Sequence, residues 1–269
     1  MKVSLLYVTK RLGGMDILKG NLDRQTFRDF EVIMVDGLSR DMAMLTVFLN
    51  GVGPNLRQYC DPHLGVWAAH NEGLRHCEGE YVVFLQDYIW IRANGIERFV
   101  AAQEARPGFY TGVGNVGEGP EKVNEGDLTI FSQPYYGPPE RMRWEDPRLG
   151  AWKGEIVEIT PDLWENNWGC APRDALLELG GFDERFDKGW GWAEKELAAR
   201  AQAIGQKLYM DTGNRCMAWY HDDWWPNLLK VRSAENEMLY NTAIADLKSG
   251  RRAPRLAPGG APWPTPSTT

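Results

Sequence analysis

The sequence predicts an α/β fold: a mixed, mainly parallel sheet flanked by helices, in a single domain that carries a long aromatic-rich insertion. Three observations lead there. Val3–Val8, Glu31–Val35 and Tyr81–Leu85 are short, nearly continuous apolar runs, as expected of strands covered on both faces. Segments of helical period separate them, and a strand–helix–strand alternation calls for parallel neighbours joined by right-handed crossovers. Finally, a polar residue follows each run, namely Thr9, Asp36 and Asp87. In open α/β sheets, ligands bind in the crevice beyond the carboxyl ends of the strands.

In chain order, Val3–Val8 is a first strand ending at Thr9, and Met15–Gln25 is a helix with Ile17, Leu18 and Leu22 at helical spacing. Glu31–Asp36 is a second strand and Leu56–Cys60 a short third. Leu64–Cys77 is a helix, and Tyr81–Leu85 a buried strand ending in Gln86-Asp87-Tyr88. Arg92–Arg106 is a helix with Ile96, Phe99, Val100 and Gln103 on one side.

Gly114–Trp168 is rich in Gly and Pro and holds Trp144, Trp152 and Trp164. Its length marks it as functional or disordered, and its aromatics argue against full disorder. Short strands are expected in it at Leu128–Phe131 and Glu155–Ile159. Asn167–Ala171 is a strand leading into a helix from Pro172 that stops at Gly180-Gly181. Lys207–Met210 and Cys216–Tyr220 are strands and Leu228–Leu247 a long helix. Ser249–Thr269, rich in Pro, Gly and Arg, is expected to be a loose tail.

Bulk properties bound the function. The chain has 269 residues, 43% of them hydrophobic, enough for one large α/β domain. Its net charge of -7 disfavours a nucleic-acid binder, which needs clustered Lys and Arg. Cys60, Cys77, Cys170 and Cys216 lack CxxC spacing, so neither a zinc site nor a disulfide framework is indicated. No apolar run approaches the length of a membrane span or a signal peptide, and a soluble, cytoplasmic protein is expected. No GxGxxG follows the first strand, no GxxxxGK[ST] is present, and no GxSxG surrounds Ser39.

The richest stretch is Gly180–Leu197, GGFDERFDKGWGWAEKEL. Beyond Trp192, Leu197, Ala201, Ile204 and Leu208 recur at helical spacing, and Glu194 falls on the same stripe. Glu196 lies about 200° further round the axis, from 3.6 residues per turn, where it can pair with Arg200 at i, i+4. A carboxylate in a first helical turn suits a proton acceptor. Trp190 and Trp192 alternate with Gly189 and Gly191, and indole faces are platforms for a sugar or a base.

GGFDERF…GWGW followed by an acidic residue and Leu resembles the inverting GT-A glycosyltransferases of the GT2 type and of the β-1,4-galactosyltransferase type, whose loop reads close to GWGxED. Ala193-Glu194 stands here where those families have two acids, so the role of general base falls on Glu194. Phe30–Asp41 resembles the GT2 donor-binding strand and loop, which gives Asp36 the nucleotide base. Ala69-His70-Asn71-Glu72-Gly73 resembles A-R-N-x-G, with His70 in place of Arg. Gln86-Asp87-Tyr88 stands where the metal-binding D-x-D is found, and Arg215…His221 resembles the late strand and metal-ligating His of the galactosyltransferase group.

The resemblance implies a GT-A (Rossmann-like) domain over residues 1–248, with a nucleotide-sugar half at 1–113 and an acceptor-binding, catalytic half at 114–248. It implies an inverting nucleotide-sugar-dependent enzyme. Glu194 would be catalytic, with Thr9, Asp36, His70, Asp87, Trp190 and Trp192 around the donor, a UDP-sugar being expected. Mn²⁺ or Mg²⁺ would sit on Asp87 and His221, and the acceptor would be a glycan, a protein or a modified nucleobase. A metal-independent enzyme, with His70 or Arg40 stabilising the diphosphate, stays open. So does a noncatalytic nucleotide- or glycan-binding module, which loss of the motif acids would produce.

Overall fold

In the first strand, β1 (Val3–Thr9), every side chain is buried except the half-buried Val8, because helices cover both faces of the sheet it sits in. The computed structural model describes residues 1–10, 15–38, 55–114, 148, 154–189, 191–218 and 226–256. On one side of β1, β2 (Phe30–Asp36) pairs with it in parallel, and β3 (Leu56–Cys60) extends the sheet in parallel from β2. On the other side lies β4 (Tyr81–Gln86), also parallel. Two crossover helices make this possible, α1 (Met15–Arg24) between β1 and β2, and α2 (Val66–His76) between β3 and β4.

The period of two along each strand sorts the core into two layers. Leu5, Tyr7, Val32, Met34, Val83 and Leu85 face α1 and α3 (Gly95–Ala105), which contribute Leu18, Leu22, Ile96 and Phe99. Their neighbours Leu6, Ile33, Val35, Val82 and Phe84 face the opposite way, onto Trp67, Ala69 and Leu74 of α2. That second layer also receives α4 (Arg173–Leu179) and α5 (Ala193–Ala203) through Leu176, Leu179, Leu197 and Ala201. Each fully buried side chain of this size contributes about 1.5–3 kcal/mol, so both faces are needed to hold the sheet.

Beyond β4 the sheet turns mixed. Its strand order is β3-β2-β1-β4-β8-β6-β9-β5. β8 (Trp168–Pro172) is antiparallel to β4 and to β6 (Phe109–Gly114), and β6 is parallel to β9 (Leu208–Ala218). The short β5 (Ile89–Ile91) and β7 (Ile156–Glu158) pair antiparallel with β9. Most of the paired length is parallel. β5 and β6 were not expected from the sequence, and the two strands expected around Asp211–Arg215 are one continuous β9. Asp211 takes the amides of Gly213 (2.9 Å) and Asn214 (3.2 Å), and an irregularity in the β6–β9 register absorbs the turn-like residues.

α4 ends at Gly180 (φ 76°) and Gly181 (φ 74°), whose amides return to Leu177 and Leu176 carbonyls. Left-handed backbone at two successive residues requires glycine at little cost only, and a Cβ on Gly181 would also strike Asn71.

The last helix, α6 (Pro226–Lys248), crosses α5. Ser249–Leu256, assigned above to a loose tail, instead packs back on the domain. Leu256 is buried and its amide reaches Leu179 O at 2.9 Å. Arg252 pairs with Asp183 (2.7 Å) and Glu196 (2.8 Å). Two buried carboxylates that need a counter-ion outweigh the disordering tendency of the surrounding Pro and Arg residues. Leu128–Phe131 lies outside the described residues.

Candidate active site

The parallel register of β1, β2 and β4 puts their carboxyl ends on one edge. Thr9 lies opposite Asp36, and Thr9 Oγ1 donates to Asp87 Oδ2 at 2.9 Å. All three are buried. Asp36 accepts from Leu38 N (2.9 Å) and Gln58 Nε2 (3.1 Å), so the turn after β2 and the edge strand β3 both orient it. Lys10, just past Thr9, donates to the Leu64 carbonyl ahead of α2.

The later part of the chain reaches this edge through β8. Gln86 N, at the end of β4, donates to Asn167 O at 3.1 Å, which sets Glu165–Asn167 beside the carboxyl end of β4. Asn166 Nδ2 donates to His70 Nε2 at 3.3 Å, and His70 Nδ1 bonds Val66 O at 2.7 Å. The carbonyl partner requires Nδ1 to carry the proton. His70 is buried among Trp67, Phe84 and Phe182, and burial lowers its pKa to about 4. Its ring is therefore neutral at physiological pH and joins α2 to Asn166. The cationic role that its place in A-H-N-E-G suggested for a diphosphate is not available to it.

α5 opens on the stretch singled out in the sequence. Leu197 and Ala201 are fully buried, and Glu194, on the same stripe, is half-buried with its Oε2 enclosed and without a hydrogen bond. Burial raises the Glu194 pKa to about 7, Glu165 adds to the rise, and the amides of Glu194 and Trp192 and the charge of Lys195 act against it. Glu165 is in turn held by Asn167 Nδ2 (3.3 Å) and Arg148 (3.6 Å). Glu196 pairs with Arg200 as expected, at 2.8 and 3.0 Å. Although it lies on the far side of the helix from the stripe of Leu197 and Ala201, that face too is enclosed, because Arg252 covers it.

Trp192 is the one non-glycine residue at positive φ (73°) among the described residues, and it follows Gly191 at 69°. Its ring packs tilted at 35° against Tyr240 (5.1 Å), Lys195 Nζ lies 4.9 Å over it, and Nε1 donates to Ser233 Oγ at 3.3 Å. This half-buried indole is tied into α5 and α6. Trp190 lies outside the described residues, as do His221, Asp222, Asp223, Arg40 and Ser39.

Two residues that lie in the quoted motifs but were given no role, Asn71 and Asp187, join α2 to the segment before α5. Asn71 exchanges bonds with Phe182, Nδ2 to O at 2.9 Å and Oδ1 from N at 2.8 Å, and also donates to Glu184. Asp187, in the single-turn helix Glu184–Lys188, accepts the amides of Trp67 (2.7 Å) and Ala68 (3.0 Å) and so caps α2 from 119–120 residues away. A cap supplied from so far along the chain leaves no local signal such as a Ser or Asp ahead of the helix. Replacing Asp187 with alanine should cost about 1–2 kcal/mol, read as a fall in Tm of roughly 2–8 °C by calorimetry at about 2–4 °C per kcal/mol. An unchanged Tm would show that water replaces the cap.

Among the described residues no group of three His, Cys, Asp or Glu side chains gathers to hold a metal. Asp87 offers one hard carboxylate at the strand edge, which fits a Mg²⁺ or Mn²⁺ completed by phosphate oxygens and water.

No protein-family model matches the chain, and no curated protein matches it. Solved structures do. The mannosyltransferase PcManGT from Pyrobaculum calidifontis, in complex with GDP-Man and Mn²⁺, is 19% identical over 91% of this chain, with a TM-score of 0.62. S. aureus TarS is 17% identical over 92%, with a TM-score of 0.56. GalNAc-T7 with UDP, GalNAc and Mn²⁺ is 15% identical over 93%, with a TM-score of 0.62. The chain spans 64%, 43% and 51% of those three chains. At these identities the likeness establishes the fold, a GT-A-like α/β fold shared with nucleotide-sugar glycosyltransferases. No described helix is long and apolar enough to cross a membrane.

Proposed function

We propose that this chain moves a sugar from a nucleotide sugar, expected to be UDP-linked, to an acceptor hydroxyl with inversion, using Glu194 as general base. The observation that carries the proposal is the enclosed, unbonded Oε2 of Glu194, in a chain with the GT-A-like fold. A buried carboxylate oxygen without a donor costs stability, and a substrate hydroxyl would satisfy it. With a pKa near 7, Glu194 is basic enough to take that proton and still ionised in much of the population at neutral pH.

The acceptor O–H proton passes to Glu194 as the acceptor oxygen attacks the anomeric carbon. The bond from that carbon to the diphosphate oxygen breaks on the opposite face, and its electron pair leaves with the nucleoside diphosphate. Asp36 holds the base of the nucleotide, and Thr9 orients Asp87 through its 2.9 Å bond. A divalent cation at Asp87, with His221 as a second ligand, would supply charge neutralisation of the leaving diphosphate. A binding module is the second reading. It is favoured by the fully buried Ala193, which stands where the resembled families carry an acid.

Nucleotide release from a panel of UDP-, GDP- and TDP-sugars, with manganese or with chelator, separates the two. Release from one donor identifies an enzyme, whereas binding of every tested donor without release, in the presence of an acceptor library, identifies a module. Asp87→Ala should abolish the tightening of nucleotide binding by manganese, measured by calorimetric titration. A manganese effect of unchanged size in that variant would move the cation elsewhere.

A further inference from the structure

We propose that Asn236, in the middle of α6, is a positioning residue that holds the loop aiming Glu194; the catalytic part of this inference rests on the function proposed above. Asn236 is buried, and its Nδ2 donates to two carbonyls, Phe186 O and Gly191 O, both at 2.9 Å. Both partners are acceptors, so both must be met by N–H, and the amide has one orientation. Those carbonyls bracket the glycine- and tryptophan-containing loop, and Gly191 leads into Trp192 and the first turn of α5.

Trp192 gives the clamp its purpose. A non-glycine residue in the left-handed region is strained and persists only where its surroundings over-determine it. Here the surroundings are Ser233 on the indole nitrogen and Tyr240 against the ring. Ser233, Asn236 and Tyr240 stand at i, i+3 and i+7, one face of a helix. A single stripe of α6 thus grips the main chain before Gly191 and the side chain after it, and Glu194 follows two residues later. No other described side chain bonds both Phe186 O and Gly191 O.

The test compares wild type with Asn236→Asp and Asn236→Leu, both near-isosteric and both without the paired donors, and with the milder Ser233→Ala. Hydrogen exchange should quicken at least about tenfold over residues 189–195 while β1 and β4 keep their protection. The Glu194 midpoint, followed by carboxyl ¹³C resonance and assigned with Glu194→Gln, should fall from about 7 toward the ordinary 4.5 as the loop opens to water. In transfer assays kcat should drop about tenfold or more, since misplacement of about 1 Å can cost 10²-fold. KM for the donor should stay within about twofold, because Asp36 and Thr9 lie in the other half. Equal loss of protection everywhere, or an unchanged loop and an unchanged Glu194 midpoint, would overturn the proposal. If wild type releases nucleotide from no donor, the transferase reading fails, while exchange and titration still decide whether Asn236 positions Glu194.

Discussion

Replacing Glu194 with glutamine should lower transfer about 10²–10⁴-fold, the usual worth of general base catalysis, with donor affinity unchanged. The amide keeps the size of the side chain and its place on the Leu197–Ala201 stripe, and removes only the ability to accept a proton. In wild type the rate should rise with pH through about 7, where Glu194 ionises, and level off above. The same shift has an opposite sign for stability. Because the folded state holds this proton more tightly than the unfolded chain, the folded protein loses stability as pH rises from 4.5 to about 7. Glutamine escapes that loss, so the variant should melt higher than wild type at pH 8 and about equally at pH 4. Transfer near the wild-type rate, or a pH profile without a limb near 7, would remove Glu194 from the mechanism.

Arg200→Met should cost about 3–5 kcal/mol, the range for breaking a buried ion pair by removing one partner. Arg200 is fully enclosed. Its Nε takes both oxygens of Glu196, while Nη1 reaches Leu179 O (2.8 Å) and Nη2 reaches Gly181 O (2.6 Å). One guanidinium thus joins α5, the end of α4 and the glycine turn. Methionine fills the space and leaves Glu196 with Arg252 alone, Gly181 O without its guanidinium donor and Leu179 O with only the Leu256 amide. Lysine should not rescue it, since an ammonium cannot reproduce the planar fork. Adding Glu196→Leu should restore part of the loss, because the uncompensated charge goes with it. Urea melts of the three variants decide this, and a single variant within about 1 kcal/mol of wild type would contradict the network described here.

The elements most visible in the sequence were those buried on both faces. β1, β2 and β4 show as nearly continuous apolar runs, and α2, α3 and α4 show by their helical period and the Gly180-Gly181 stop. β6 was hidden because Gly112 and Gly114 dilute its pattern, and β5 because three residues between a turn and a helix carry no period of their own. Glu194, Asp36, Asp87 and Thr9 stood out because strand ends and helix starts are marked locally. The roles of Asn71, Asp187 and Asn236 did not, because each satisfies backbone groups far along the chain, and no local pattern encodes such a partner, even where, as for Asn71, the residue sits in a quoted motif. The enclosure of Glu196 left no local sign for the same reason, since its second cation is Arg252.

That distant cation also sets a schedule for making the protein. At about 5–20 residues per second of synthesis, the stretch from Glu196 to Arg252 takes about 3–11 s to appear. Throughout that interval the helix start bearing Glu194 has neither α6 beside it nor the second counter-ion beneath it, while β1 to β4 already have what they need to assemble. The Thr9–Asp36–Asp87 edge can therefore mature first, and the helix start at Glu194 is locked last, so proteases and chaperones acting on the nascent chain meet the loop before α5 in its loosest state.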